Sequence, residues 1–206
     1  SFRRDGFLRT LGRGAAGSGA PTDAAAREVV LWVDTFDEHF EPDNARAALR
    51  VLRAAGYAVT VAGAAGSGIA EDERPLCCGR TYLSAGLVDE ARVEATRTLR
   101  ALLPFAERGV PIVGLEPSCL LTLRDEFLAL KLDDALGRPG AARMLASRAM
   151  LFEEFLAAEH FADPIHGRIF QAIQRRVEAG QLADVVTLRA EFEHSGLLEE
   201  VGGPSY

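Results

Sequence analysis

The run Val29-Val30-Leu31-Trp32-Val33 constrains this chain more than any other stretch. An unbroken apolar run rich in β-branched residues suits a strand buried on both faces, where no solvated face demands a polar residue at every second position. Asp34-Thr35-Phe36 ends it. Pro42-Asp43-Asn44 then opens a helix through Ala55, with Ala45, Ala48, Leu49 and Leu52 at helical spacing and Gly56 as its stop. Tyr57 to Ala62 is the next strand, which completes a β-α-β unit and requires a parallel pair joined by a right-handed crossover. A second helix spans Asp89 to Arg108, ended by Gly109, and a third strand follows at Val110 to Leu115. The fold class is therefore α/β: a Rossmann-like three-layer unit with a short parallel sheet, its three strands lying within residues 28–136. So few strands leave a sheet edge open, and homodimerisation or cover from the C-terminal helices is expected to protect it.

Composition narrows the setting. The 206 residues suit one or two domains, and 48% hydrophobic with 26% charged residues is the balance of a soluble globular protein. A net charge of −7 argues against a general phosphate-binding surface, so no direct nucleic-acid contact is expected. No apolar run has the length of a membrane span. Three cysteines, an odd number, do not make a disulfide framework, which points to a reducing cytoplasm. A chain that starts at Ser1 and runs out after Gly202-Gly203-Pro204 reads as an excised fragment.

Residues 1–27, rich in Gly, Ala, Ser and Arg, read as a linker or an arm. Gly63 to Glu73 reads as a flexible approach to the cysteines. Pro117-Ser118 starts a helix, with Leu120, Leu121, Leu123, Phe127 and Leu128 behind it. After a break at Gly137 to Gly140, Ala141 to Phe161 reads as one apolar helix. From Asp163 the texture changes. Ile165, Ile169, Phe170, Ile173 and Val177 mark a helix ended by Gly180, and Val185 to Glu193 gives another. The α/β domain thus occupies residues 28–157 and an all-helical segment residues 158–206, with Ile169, Phe170, Ile173 and Phe192 facing inward.

All the cysteines lie in two segments, Leu76-Cys77-Cys78-Gly79-Arg80 and Glu116-Pro117-Ser118-Cys119. Adjacent thiols before a glycine suit a metal centre, because Gly79 lets the backbone come close; they also suit small buried hydrophobes in a turn. Ligands in open parallel sheets gather at the carboxyl ends of the strands. Asp34, Thr35, Glu116 and Cys119 all fall just past such an end, and the doublet follows the second strand. Cys77, Cys78 and Cys119 are therefore the candidate metal ligands. No catalytic residue and no binding residue for an organic cofactor is assigned. His39, His160, His166 and His194 show no zinc spacing, and Ser118 lacks the turn of a hydrolase nucleophile. The glycines at 63–68 lack the lysine and hydroxyl of a phosphate loop.

Residues from about Phe2 to Ala157 resemble the cysteine-rich CCG-domain family of iron–sulfur oxidoreductases, which includes the glycolate oxidase iron–sulfur subunit and FAD-linked oxidases. The words that carry the resemblance are Leu31 to Phe36, Phe40-Glu41-Pro42, Cys77 to Arg80, Gly86 to Arg92 and, best of all, Gly109 to Glu126. It implies an electron relay in the oxidation of a 2-hydroxy acid, an iron–sulfur cluster as cofactor, and FAD on a flavin dehydrogenase domain or subunit outside this sequence. The departures are specific. Thr35 or a neighbour stands where the family has a lone cysteine, and the closing Cys-x-x-Cys has become Cys119-Leu120-Leu121-Thr122. One half-module is present, so the fragment is expected to be inactive alone.

Residues Glu159 to Tyr206 resemble part of the N-terminal domain of the bacterial replicative DNA helicase, DnaB type. The words here are Asp163 to Phe170, Gly180 to Asp184, Val186-Thr187-Leu188 and Glu200 to Tyr206. That domain is a helical collar, so the resemblance implies a primase or helicase contact and no catalytic residues. Three functions follow as expectations: an oxidoreductase fragment, a chimeric or recombined folded protein without activity, and a helicase-collar-like interaction module.

Overall fold

The computed structural model describes residues 6–14, 27–62, 75–157, 160 and 164–195. The chain divides into two compact units, Ser1–Phe155 and Leu156–Tyr206. The first is mixed α/β, built on a four-stranded, fully parallel sheet in the order β2-β1-β3-β4. The strands are β1 (Arg27–Trp32), β2 (Tyr57–Ala62), β3 (Ile112–Gly114) and β4 (Ala149–Leu151).

The apolar run at 29–33 is explained by its place between β2 and β3. Val29, Leu31 and Val33 face one core, whereas Val30 and Trp32 face the other, as the two-residue period of a strand requires. All five are essentially fully buried. On one face lie α1 (Phe7–Gly14) and α3 (Pro42–Ala54), whose Ala45, Ala48, Leu49 and Leu52 form the buried stripe. The other face is covered by α5 (Val88–Glu107), together with α6 (Pro117–Arg124), α8 (Leu132–Leu136) and α9 (Ala141–Ala146). Helices on both faces of a short parallel sheet make the three-layer arrangement expected from the sequence.

Several details differ from the sequence reading. The sheet has a fourth strand, because the apolar stretch from Ala141 is not one helix. It ends as α9, turns at Ser147-Arg148, enters β4 and leaves as α10 (Phe152–Phe155). The Ile112 amide donates to the Arg148 carbonyl at 2.9 Å and ties this strand in. The helix begun at Pro117 is also divided, into α6, α7 (Glu126–Ala129) and α8, with breaks at Asp125 and at Lys131, whose φ is 55°. Residues 7–14, assigned to the linker or arm of 1–27, form α1, and Phe7 and Leu8 are buried in the core. The Glu38 carboxylate accepts from the Leu8 amide at 2.6 Å and satisfies an otherwise open helix-start donor. Most of the remaining linker stretch, and the approach at 63–73, lie outside the described residues.

The second unit contains α11 (Pro164–Glu178) and α12 (Val185–Ser195), and no strand among its described residues. Ala172 and Phe192 form its buried centre, with Ile165, Ile169 and Leu188 packed against them. Of the expected inward set, Ile169 and Phe192 join this core; Phe170 and Ile173 are half-buried outside it. Glu191 bridges Arg175 and Arg176 at 3.1 and 3.3 Å, and Asp184 accepts from the Thr187 amide at 2.8 Å to start α12. Among the described residues no helix is long and apolar enough to cross a membrane.

Leu99 sits at the centre of the buried stripe of α5, while Val93 on the same helix is 65% exposed. Leu99→Ala is expected to lower the unfolding free energy by about 2–5 kcal/mol, and Val93→Ala to change it by less than about 0.5 kcal/mol, in urea titrations followed by circular dichroism.

Candidate functional site

The strand order reverses at β1, because the crossover to β2 runs on one side and the chain then returns to β3 on the other. Loops leaving β1 and β3 therefore diverge and open a crevice at the carboxyl edge of the sheet. A cavity of about 540 Å³ occupies it, walled by Asp34 and Thr35 after β1, Cys77 and Cys78 in the loop before α4 (Arg80–Ser84), and Glu116 and Cys119 after β3.

The loop carrying the doublet is fixed from behind. Thr98 of α5 donates its hydroxyl to the Cys77 carbonyl at 2.7 Å. Arg97, paired with Glu94, donates to the Pro75 carbonyl at 2.6 Å. Leu76 and Cys78 point into the core, which leaves Cys77 half-buried towards the cavity. Gly79 follows at φ 81°, where a Cβ would lie 2.8 Å from the Ala91 carbonyl oxygen; both facts require glycine here. The other wall starts at Glu116, which caps α6 by accepting from the Ser118 amide at 3.3 Å and its hydroxyl at 2.7 Å. Pro117 occupies the first helical position, and Cys119 faces the cavity from the first turn.

Thr35 and the three thiols line the same cavity. The Gly79 and Arg80 amides add contacts to the Cys77 and Cys78 sulfurs at 3.4 and 3.5 Å. Donation to Cys78, reinforced by burial, holds the Cys77 thiol strongly protonated. Donation to Cys119, again with burial, pushes Cys78 up to about 12. The sequence-predicted trio is thus brought together, with Thr35 beside it. Thr122, one turn further along α6, is buried, donates to the Ser118 carbonyl at 2.8 Å and does not line the cavity.

An iron–sulfur cluster does not fit this donor set. Cubane clusters are held by four thiolates, whereas three cysteine sulfurs are present here. Among the described residues no group of three or more His, Cys, Asp or Glu side chains is arranged to hold a metal ion.

Sequence reasoning placed Asp34 and Glu116 at the strand ends but missed the buried Asp37 beside them. Asp34 caps α2 (Thr35–His39) by accepting from the Phe36 and Asp37 amides at 2.6 and 3.3 Å. Asp37 is 3% exposed, and its Oδ2 is buried without a hydrogen-bond partner. Burial, then the charge of Asp34, pushes Asp37 up to about 8. Burial raises Asp34 as well. The signal was available: an aspartate just past a strand, with acids three and four residues later, announces a capped helix. Phe36 and Phe40 stack at 5.3 Å between ring centroids and stand at the cavity wall, each more than two-fifths exposed.

Comparison with known proteins bears on the other end of the chain. The family model of the DnaB-like helicase N terminal domain matches residues 143–206, a stretch that excludes the cysteine cavity. The Replicative DNA helicase DnaB of Rickettsia prowazekii (strain Madrid E) is 42% identical over 53 residues, which is 26% of this chain and 11% of that protein. The protein of the same name from Geobacillus stearothermophilus is 43% identical over 53 residues, 12% of its length. The chain therefore spans roughly a tenth of the length of these curated relatives. No solved structure matches the chain.

The protonated Asp37 has a consequence for stability. Unfolding returns it to an ordinary carboxylate near 3.8, so between that value and about 8 the folded state holds a proton the unfolded state releases. Its contribution is whole below the unfolded value and falls as pH rises through the window. Asp37→Asn removes the titrating group and is expected to flatten the decline in unfolding free energy between about pH 5 and pH 8. Parallel urea-derived profiles for variant and parent would contradict the assignment.

Proposed function

We propose that the C-terminal helical unit is a protein–protein interaction module of the replicative-helicase collar type. The observation that carries this is the family match over residues 143–206, supported by 42% identity over 53 residues to a replicative helicase. The fold of the unit is consistent with such a role. Among the described residues the two-helix core is as small as Ala172 and Phe192, and Val177, Leu182 and Val186 are 62%, 68% and 75% exposed. A helicase subunit, a primase or a second copy of the chain are the partners this reading calls for, and it places the protein in the cytoplasm. Nothing in it requires direct contact with nucleic acid or catalysis by this unit. In sedimentation velocity, the chain is expected to co-migrate with a bacterial replicative helicase or primase. The Leu182→Asp/Val186→Asp variant should weaken that association at least about tenfold with its circular dichroism spectrum unchanged. Separate migration of the parent chain from both would sink the reading.

A second reading applies to the α/β unit and rests on a different observation, the convergence of Cys77, Cys78 and Cys119 on one cavity at the sheet's switch point. We propose that this unit derives from an iron–sulfur, FAD-linked oxidoreductase and retains the position of its metal site with too few ligands to fill it. The fragment alone turns over no substrate on this account. A chimeric origin of the two units is compatible with both readings. Iron and acid-labile sulfide after anaerobic purification are expected far below one cluster per chain. Stoichiometric iron that disappears in the Cys77→Ser/Cys78→Ser variant would overturn this.

A further inference from the structure

We propose that Cys78 and Cys119 form a site of reversible oxidation, closing a disulfide across the cavity when the chain meets a peroxide. The inference stands on the geometry of the thiols and does not depend on either functional reading.

Three pairings are open to three thiols, and the structure separates them. A Cys77–Cys78 bond would close a ring through a single peptide and twist it. That peptide has no freedom to give. The Cys77 carbonyl is held by Thr98 at 2.7 Å, and the Gly79 and Arg80 amides rest on the two sulfurs at 3.4 and 3.5 Å. Cys77 is no part of the core cluster on this face of the sheet. Cys78 belongs to that cluster, and Cys119 packs against it. Cys78 reaches across from a loop without regular structure, residues 75–79, to the first turn of α6. Side-chain rotation at Cys78 and Cys119, with the Cys77 peptide held in place, brings the sulfurs together while leaving the sheet untouched.

Access favours the same order of events. Cys78 is 2% exposed, whereas Cys119 is half-buried and faces the cavity, so of this pair an oxidant that enters meets Cys119 first. The Cys119 sulfur, as its thiolate, attacks one peroxide oxygen. The O–O bond breaks, the other oxygen leaves as hydroxide and is protonated to water, and Cys119 becomes a sulfenic acid. Cys78 then attacks that sulfur, and the S–O bond breaks. A second water leaves with the Cys78 proton. The two thiols are oxidised by two electrons and the peroxide is reduced to two waters. The product joins the loop before α4 to the start of α6, and so fixes the two walls of the cavity to each other. A dithiol reductant reverses it by exchange.

The test uses the whole chain, treated with hydrogen peroxide, then alkylated and mapped by tryptic mass spectrometry. A peptide ending at Arg80 cross-linked to the peptide containing Cys119, lost on treatment with dithiothreitol, is expected. The cross-link should persist in Cys77→Ser, which excludes Cys77 as the partner. A disulfide internal to the peptide carrying Cys77 and Cys78 would overturn the proposal. So would a cross-link abolished by Cys77→Ser, or Cys119 oxidised to the sulfinic acid with Cys78 still free. Because the first observation is made on the parent chain, a variant that fails to fold does not remove the test.

Discussion

The burial of β1 on both faces is the constraint from which the rest of the first unit follows. A strand whose successive side chains all leave water needs a layer on each side and a hydrogen-bonded neighbour at each edge. The pairing with β2 and β3 satisfies its amides and carbonyls, and the Val30 amide reaches the Pro111 carbonyl at 2.9 Å. The two layers are then dictated by alternation. Val29, Leu31 and Val33 need α1 and α3, while Val30 and Trp32 need α5 and α6. Burying residues of this size contributes about 1.5–3 kcal/mol each before entropy is counted, which makes the strand the largest local stake in the fold. The same geometry makes the cavity. A central strand whose neighbours are reached by crossovers in opposite directions must leave a gap beyond its carboxyl end, and the residues after β1 and β3 fall into it.

That chain of cause explains what the sequence disclosed. The five-residue apolar run, the stop at Gly56 and the helical spacing of Ala45, Ala48, Leu49 and Leu52 each carry their own structural meaning, and the parallel sheet follows from them. The strand-end rule brought Thr35, Cys77, Cys78 and Cys119 to one place although they are scattered through the sequence. Other features had no local signature. β4 is three residues inside an apolar stretch, where a helical period and a buried strand look alike. The breaks between α6, α7 and α8 fall at Asp125 and Lys131, ordinary residues held in unusual backbone conformations by packing. α1 was hidden because its Gly and Arg content suggests a linker; its burial depends on Glu38, thirty residues away in the chain. The raised pKa of Asp37 depends on a desolvation that no sequence pattern displays.

The two units carry different kinds of information about function. In the first, the physical chemistry of a site is visible: three thiols at one cavity, a buried aspartate with a raised pKa and stacked phenylalanines at the cavity wall. In the second, similarity to a helicase N-terminal domain covers a short stretch, and the core among the described residues is small.

Native-state hydrogen exchange tests the primacy of β1 most directly. The account predicts that the amides of Val30, Leu31 and Trp32 exchange only through global unfolding, at free energies equal to that measured by urea, while amides of the edge strands β2 and β4 open at lower cost. Exchange in β1 through local opening, at free energies no higher than those of β2, would contradict it.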